Sequence, residues 1–118
     1  LDKARSVEQL VIEFPEFKLI LEEHLEFNNE LLPHVFIGDC NEYIIEYLKK
    51  DETDKLEKFF NFFEIMAIEG DDYTKELLSV TILERLGDDR EILNTAYKYM
   101  GKETRKASDE IEKGWGRS

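Results

Sequence analysis

His34, Asp39, Cys40 and Glu42 stand within nine residues of one another, and they offer the chain's densest set of chemically able side chains. A thiol with an imidazole six positions upstream could form a nucleophile–base pair, the more so if a helix start at Asp39 lowered the thiol's pKa. Imidazole, thiolate and carboxylate are also all zinc ligands. Against both readings, Cys40 shares a helical stripe with Tyr43, Ile44 and Tyr47, where a small buried hydrophobe is the ordinary occupant. With two histidines and one cysteine in the whole chain, a zinc site would have to recruit carboxylates at a spacing that matches no established site. His34 and Asp39 then read as a connector residue and a helix cap, and His24, between Leu21 and Leu25, as a half-buried core histidine. Glu84 falls on a crowded helix among Tyr73, Leu77 and Val80, so burial is expected, with His34 or Arg105 as its partner. A lone general base needs a second catalytic group, and none is evident. The expectation is a protein without catalytic residues, cofactor or metal.

The second feature is charge: 28 Asp and Glu face 16 Lys and Arg, a formal net charge of −12. Such a surface repels phosphate backbones and anionic lipid, excluding nucleic acid and membrane as partners, and it attracts basic proteins. Part of the acid is helix-cap chemistry, since carboxylates at helix starts are locally stabilising. The surplus is assigned to the exposed face near Asp39 and Glu42 or to the helix-start pairs Asp71-Asp72 and Asp88-Asp89. Glu22, Glu23, Glu26 and Glu30 form a further carboxylate row. Ile65 and Ile68 lie opposite the apolar face of their helix, among Glu57, Asn61 and Glu64, and either meet a second neighbour or lie exposed.

The elements that position these residues are helices. Two prolines and six glycines punctuate long runs of helix formers. Ser6 with Gln9 suggests a capping box for a short helix to Ile12, and Pro15 opens a helix to about Asn28 with Phe17, Ile20, Leu21, His24 and Leu25 inward. Leu31 to Gly38 reads as an extended connector around Pro33. Asp39 then caps a helix to Lys50 whose buried stripe is Cys40, Tyr43, Ile44, Tyr47 and Leu48. Further helices follow over Lys55–Glu69, Tyr73–Leu86, Asp88 or Asp89 to Met100, and Lys102–Lys113, with Gly70, Gly87 and Gly101 after the first three. The Tyr73–Leu86 helix is apolar almost all round and is expected at the centre. Residues 114–118 form a glycine-broken basic tail.

Residues 1–118 fit one domain. Hydrophobic residues at 42%, eight of them Phe, are too many for a disordered acidic chain. No apolar run approaches a membrane span. The lone Cys40 fits a reducing compartment, and cytoplasm is the expected location, although Leu1 in place of Met leaves room for a removed leader. The fold expected is all-α, either an irregular antiparallel helical bundle or a short armadillo-like α-solenoid of about six helices. Oligomeric state is not legible.

Three stretches carry a family likeness: Leu31-Leu32-Pro33-His34-Val35-Phe36-Ile37-Gly38-Asp39 before a helix, Ser79-Val80-Thr81-Ile82-Leu83-Glu84-Arg85-Leu86, and Met100-Gly101 before a basic helix. They resemble a family of small bacterial domains of unknown function that occur in the company of polymorphic-toxin immunity proteins, and the likeness spans residues 14–115. The resemblance implies a helical cytosolic protein without enzymatic activity that neutralises a cognate toxin by binding it. Its shared positions, Pro33, His34, Phe36, Gly38, Asp39, Leu83, Glu84 and Gly101, imply scaffold rather than interface. Three functions are therefore carried forward. The first is an acidic inhibitor of a basic toxin, the second a helical adaptor that uses Ile65 and Ile68, and the third an enzyme using His34, Cys40 or Glu84.

Overall fold

A computed structural model describes residues 1–117 and, among them, helices and turns without a strand. Helix α1 spans Lys3–Glu13, a 3-10 turn Pro15–Phe17 leads into α2, Lys18–Asn28, and α3 spans Pro33–Lys50. Helix α4 spans Thr53–Glu69. The next rod, here α5, begins as Asp72–Glu76, widens into a π-helical stretch over Leu77–Leu83 and closes with the turn Glu84–Leu86. Helix α6 spans Arg90–Tyr97 and α7 Lys102–Gly114. The all-α expectation holds. No helix among the described residues is long and apolar enough to cross a membrane.

Why a bundle and not a solenoid follows from which helices touch. In a solenoid each unit meets only its sequence neighbours. Here the π stretch of α5 packs on α3, α4 and α7, α4 packs on α7, and α1 packs on both α3 and α5. Helix α5 is the hub, as its circumferential apolarity suggests. The Cα radius of gyration, 13.5 Å, is about that of a compact chain of this length.

The core is aromatic at one end and aliphatic at the other. Phe14 stacks on Phe59 at 3.8 Å between centroids, and Phe17, Phe60, Phe63 and Tyr47 extend the cluster. Leu77, Leu78, Ile82, Leu83 and Leu86 of α5 are all buried, because the wider π turn gathers them on one side and leaves Val80 half exposed.

Two expectations fail between Leu31 and Asp39. The segment is no extended connector, because α3 begins at Pro33, where proline's missing N–H would have had no intrahelical partner and its fixed φ suits the first turn. Only Leu32, at φ −113° and ψ 92°, obeys the pre-proline restriction. Gly38 is a mid-helix residue, not a breaker. Asp39 therefore caps nothing: it lies exposed in the second turn of α3, and Cys40 is well inside the helix. Starting α3 seven residues early, with Leu32 and not Asp39 at the cap position, also changes its buried face. Phe36, Ile37, Asn41 and Ile45 join Cys40, Ile44 and Leu48, whereas Tyr43 is 50% exposed. At α1 the cap is Asp2, which accepts from the Arg5 N–H, so the expected Ser6–Gln9 box is not used. Of the face expected inward along the Pro15–Asn28 segment, Phe17 in the 3-10 turn is buried and His24 in α2 is buried more fully than expected, but Leu25 is exposed.

Candidate functional site

The two candidate nucleophile–base residues are on one helix and do not meet. Six residues of α-helix separate them by about 9 Å along the axis and about 120° around it. His34 instead shares a 2.5 Å hydrogen bond with the Thr81 hydroxyl and packs beside the Tyr73 ring. Burial, followed by the neighbouring Asp39 charge, pushes the Cys40 thiol pKa up. That is the opposite of activation. Asp39 and Glu42 point to solvent while Cys40 points inward, so the suspected ligand set is split between two faces of α3.

Glu84 is not the sealed carboxylate expected. It is half-buried at the rim of a shallow cleft lined by Gly38, Glu42, Val80, Thr81, Arg85 and Asp88. Neither expected partner reaches it: Arg105 is exposed, bonds Asp109 at 3.0 Å and stacks on Tyr97 with its guanidinium carbon 3.6 Å from the ring centroid. The reason is rotational. Glu84 faces α3 rather than the interior, and Arg105 sits on the outer side of α7. The buried carboxylate is Glu112, 2% exposed and held by Arg117 at 2.7 and 3.1 Å. Arg117 also bonds Asp88 and the Glu84 carbonyl, so the basic tail, described through Arg117, is tied to the fold. Ser118 lies outside the described residues.

The acidic candidates divide between separate places. Asp71 caps α5 by accepting from the Thr74 N–H at 2.9 Å, and that bond, first among its influences, holds its carboxyl below the ordinary range. Asp89 caps α6 through the Glu91 and Ile92 N–H groups. Glu42 pairs with Arg85 at 3.3 Å, and Asp88 pairs with Arg85 and Arg117. These carboxylates are already occupied by the fold. Asp39 and Asp72 are exposed without an ion pair among the described residues. Ile65 shares a second shallow depression with Leu1, Asp2, Arg5, Glu69 and Asp71, and Ile68, 59% exposed, follows it on α4. The structure thus joins Glu42, Glu84 and Asp88 in one cleft and Ile65 with Asp71 in another.

Three functional arrangements were not anticipated. Glu64, read as a surface residue beside Ile65, caps α7 from another helix, accepting from the Glu103 N–H, the Thr104 N–H and the Thr104 hydroxyl at 3.0, 2.9 and 2.8 Å. His24 accepts the Leu32 N–H at 2.9 Å and so fastens the start of α3 to α2. Helix α7 buries the polar residues Thr104, Ser108 and Glu112, a spacing of four that would have marked an inward polar stripe had it been sought.

Helix α2 is the least covered of the long elements. Within it only His24 is buried, and α2 leans chiefly on α3. Its outer surface holds Glu22, Glu23 and Glu26, with Leu19 61% and Phe27 88% exposed, and Glu30 follows just past its end. Among the described residues none of these carboxylates has an ion-pair partner, whereas Glu16, Glu42, Glu46, Asp51, Asp88, Asp109 and Glu112 do. The last turn of α2 contains no basic residue.

A family model described as a domain of unknown function, DUF7674, matches residues 7–116. No curated protein and no solved structure matches the chain.

Proposed function

This chain belongs to the DUF7674 family, a domain of unknown function, and from that premise we propose that it acts by binding, as an immunity-type inhibitor that neutralises a basic toxin through direct contact. The observation that carries this reading is the distribution of the net charge of −12. Ion pairs and helix caps occupy the carboxylates near Asp88, Asp89 and Asp71, yet a row on α2 has no such employment. Carboxylates on a rigid exposed helix can stand in for phosphates against a positively charged groove, and their field speeds encounter with it. The separation of His34 from Cys40, and the raised thiol pKa, give the enzymatic alternative no support.

The test is association with basic proteins encoded beside this chain's gene. The expected result is direct binding whose on-rate falls steeply with ionic strength, together with loss of the partner's toxicity on co-expression. An association indifferent to salt, or a neighbouring protein that stays toxic when bound, would remove the inhibitor reading. The exposure of Ile65 (45%) and Ile68 (59%) supports a second reading, a helical adaptor that holds its partner there. Loss of binding on Ile65→Asp and Ile68→Asp, with acid-to-amide changes harmless, would select it.

A further inference from the structure

Helix α2 combines three features that fit together only if another molecule covers it. At about 100° per residue, Leu19, Glu23, Glu26 and Phe27 share an arc of about 100°, with Glu22 about 40° beyond one edge and the buried His24 about 60° beyond the other. This is a mixed surface, two large apolar side chains set among carboxylates. Its acids are also placed against local stability: Glu26 lies in the last turn and Glu30 just past it, at the negative end of the macrodipole, and Glu22 and Glu26 stand four apart as like charges. Helix-cap chemistry explains Asp71 and Asp89 but not this row. Finally, Phe27 at 88% exposure projects a full aromatic ring into water, and aromatic rings are favoured anchors at the centres of interfaces.

We infer that the outer face of α2 is the docking surface for a basic polypeptide, one whose Lys or Arg side chains surround an apolar pocket that takes Phe27, with Leu19 beside it. The inference rests on the binding reading above and names its contact surface. Charge complementarity selects the occupant. Nucleic acid and anionic lipid would meet the row with like charge, and a second copy of this chain would bring its own row opposite the first. The α3 face at Glu42 is less suited, because Arg85 already neutralises it.

The probe is a short amphipathic helical peptide of Lys and Leu, compared with a scrambled peptide of the same composition, titrated into the full chain and followed by backbone NMR shifts. Three variants divide the outcomes: Phe27→Ser; the fourfold change Glu22→Gln, Glu23→Gln, Glu26→Gln, Glu30→Gln; and Asp39→Asn with Glu42→Gln on α3. Shifts should map to α2, and the first two variants should each weaken binding by about tenfold or more, the loss of one anchor or of its charged rim. The α3 variant should change it by less than about twofold, and the scrambled peptide should bind about tenfold more weakly. Because Glu26 and Glu30 oppose the helix dipole and Glu22 repels Glu26, the fourfold variant should also melt at a higher temperature than the parent chain. A lower melting temperature would mean that the acids serve the fold and would overturn the inference. So would equal binding of the scrambled peptide, or losses confined to the α3 variant; in that last case the binding reading survives and only its surface is wrong. Failure of both peptides to bind at low salt would overturn the binding reading itself.

Discussion

Replacing Glu64 by Ala should destabilise the protein through a helix that Glu64 does not belong to. The carboxylate reaches from α4 to the start of α7, where the first turn has N–H groups without intrahelical partners. Gly101, the residue before that helix, makes no side-chain cap. Removing Glu64 therefore takes away a helix cap, which is worth about 0.5–2 kcal/mol. It also leaves the fully buried Thr104 with an N–H and a hydroxyl short of an acceptor, a loss of about 1–3 kcal/mol for a buried polar group. The two terms describe overlapping bonds, so they do not add fully, and the expected loss is about 2–3 kcal/mol. Glu64→Gln keeps one acceptor oxygen but not the charge, and should lose about 1 kcal/mol.

The pH dependence has a definite sign. Burial raises the Glu64 pKa, but the bonds from Glu103 and Thr104 outweigh it and bring the folded value below the reference of 4.5. A depressed carboxylate stabilises the fold above its unfolded pKa, and that contribution is lost as pH falls through the folded one. The gap between parent and Glu64→Ala should therefore be full at pH 7 and shrink below about pH 4.5. Urea unfolding followed by circular dichroism reads it as a midpoint shift of about 1 M at neutral pH. Gly101 supplies an internal control, since a Cβ there would stand 2.5 Å from the Glu64 carboxyl. Gly101→Ala should displace the cap and cost about as much as Glu64→Ala, yet add little further when introduced into the Glu64→Ala variant. A Glu64→Ala loss under about 0.5 kcal/mol, or a gap of equal size at pH 7 and pH 3, would refute the cross-helix cap.

Other consequences follow from neighbouring features. Cys40 should resist thiol reagents in the native state and react at the rate of unfolding, because it is buried and its pKa is raised; rapid full labelling without denaturant would contradict its placement. Gly38→Ala should stabilise α3 by about 0.5–1 kcal/mol, since the added methyl would meet Thr81 at an ordinary 3.7 Å; a lower melting temperature would show that α3 and α5 need closer contact there. Arg117→Ala should cost about 2–3 kcal/mol by stranding buried Glu112, whereas Asp88→Asn, at a half-exposed partner, should cost under about 1 kcal/mol; equal effects in urea unfolding would mean that the clasp works through Asp88.

Helix content, the Gly70 and Gly87 stops, an acidic cap within each of the pairs Asp71-Asp72 and Asp88-Asp89, and the central place of α5 were all legible in the chain, because each rests on the pattern of residues along one helix and its ends. Apolar period, cap side chains and helix-ending glycines are local forces, and a linear reading captures them. The net charge is likewise a property of composition. Pro33 shows where that reading fails: proline is compatible with ending one segment or starting the next, and only packing of Phe36 and Ile37 against the core selects the helix.

Tertiary structure decided which carboxylates have work inside the fold. Glu64 was placed on the outer face of its helix, yet it meets Thr104 because α4 and α7 cross there. Glu84 looked inward and is at a cleft rim. The acids first placed at a partner surface include two caps and two ion-paired residues, while the row on α2 is left with solvent alone. Sequence counts charges, but it does not say which will find a cation or an N–H. That assignment depends on contacts between residues dozens of positions apart, which no local pattern encodes.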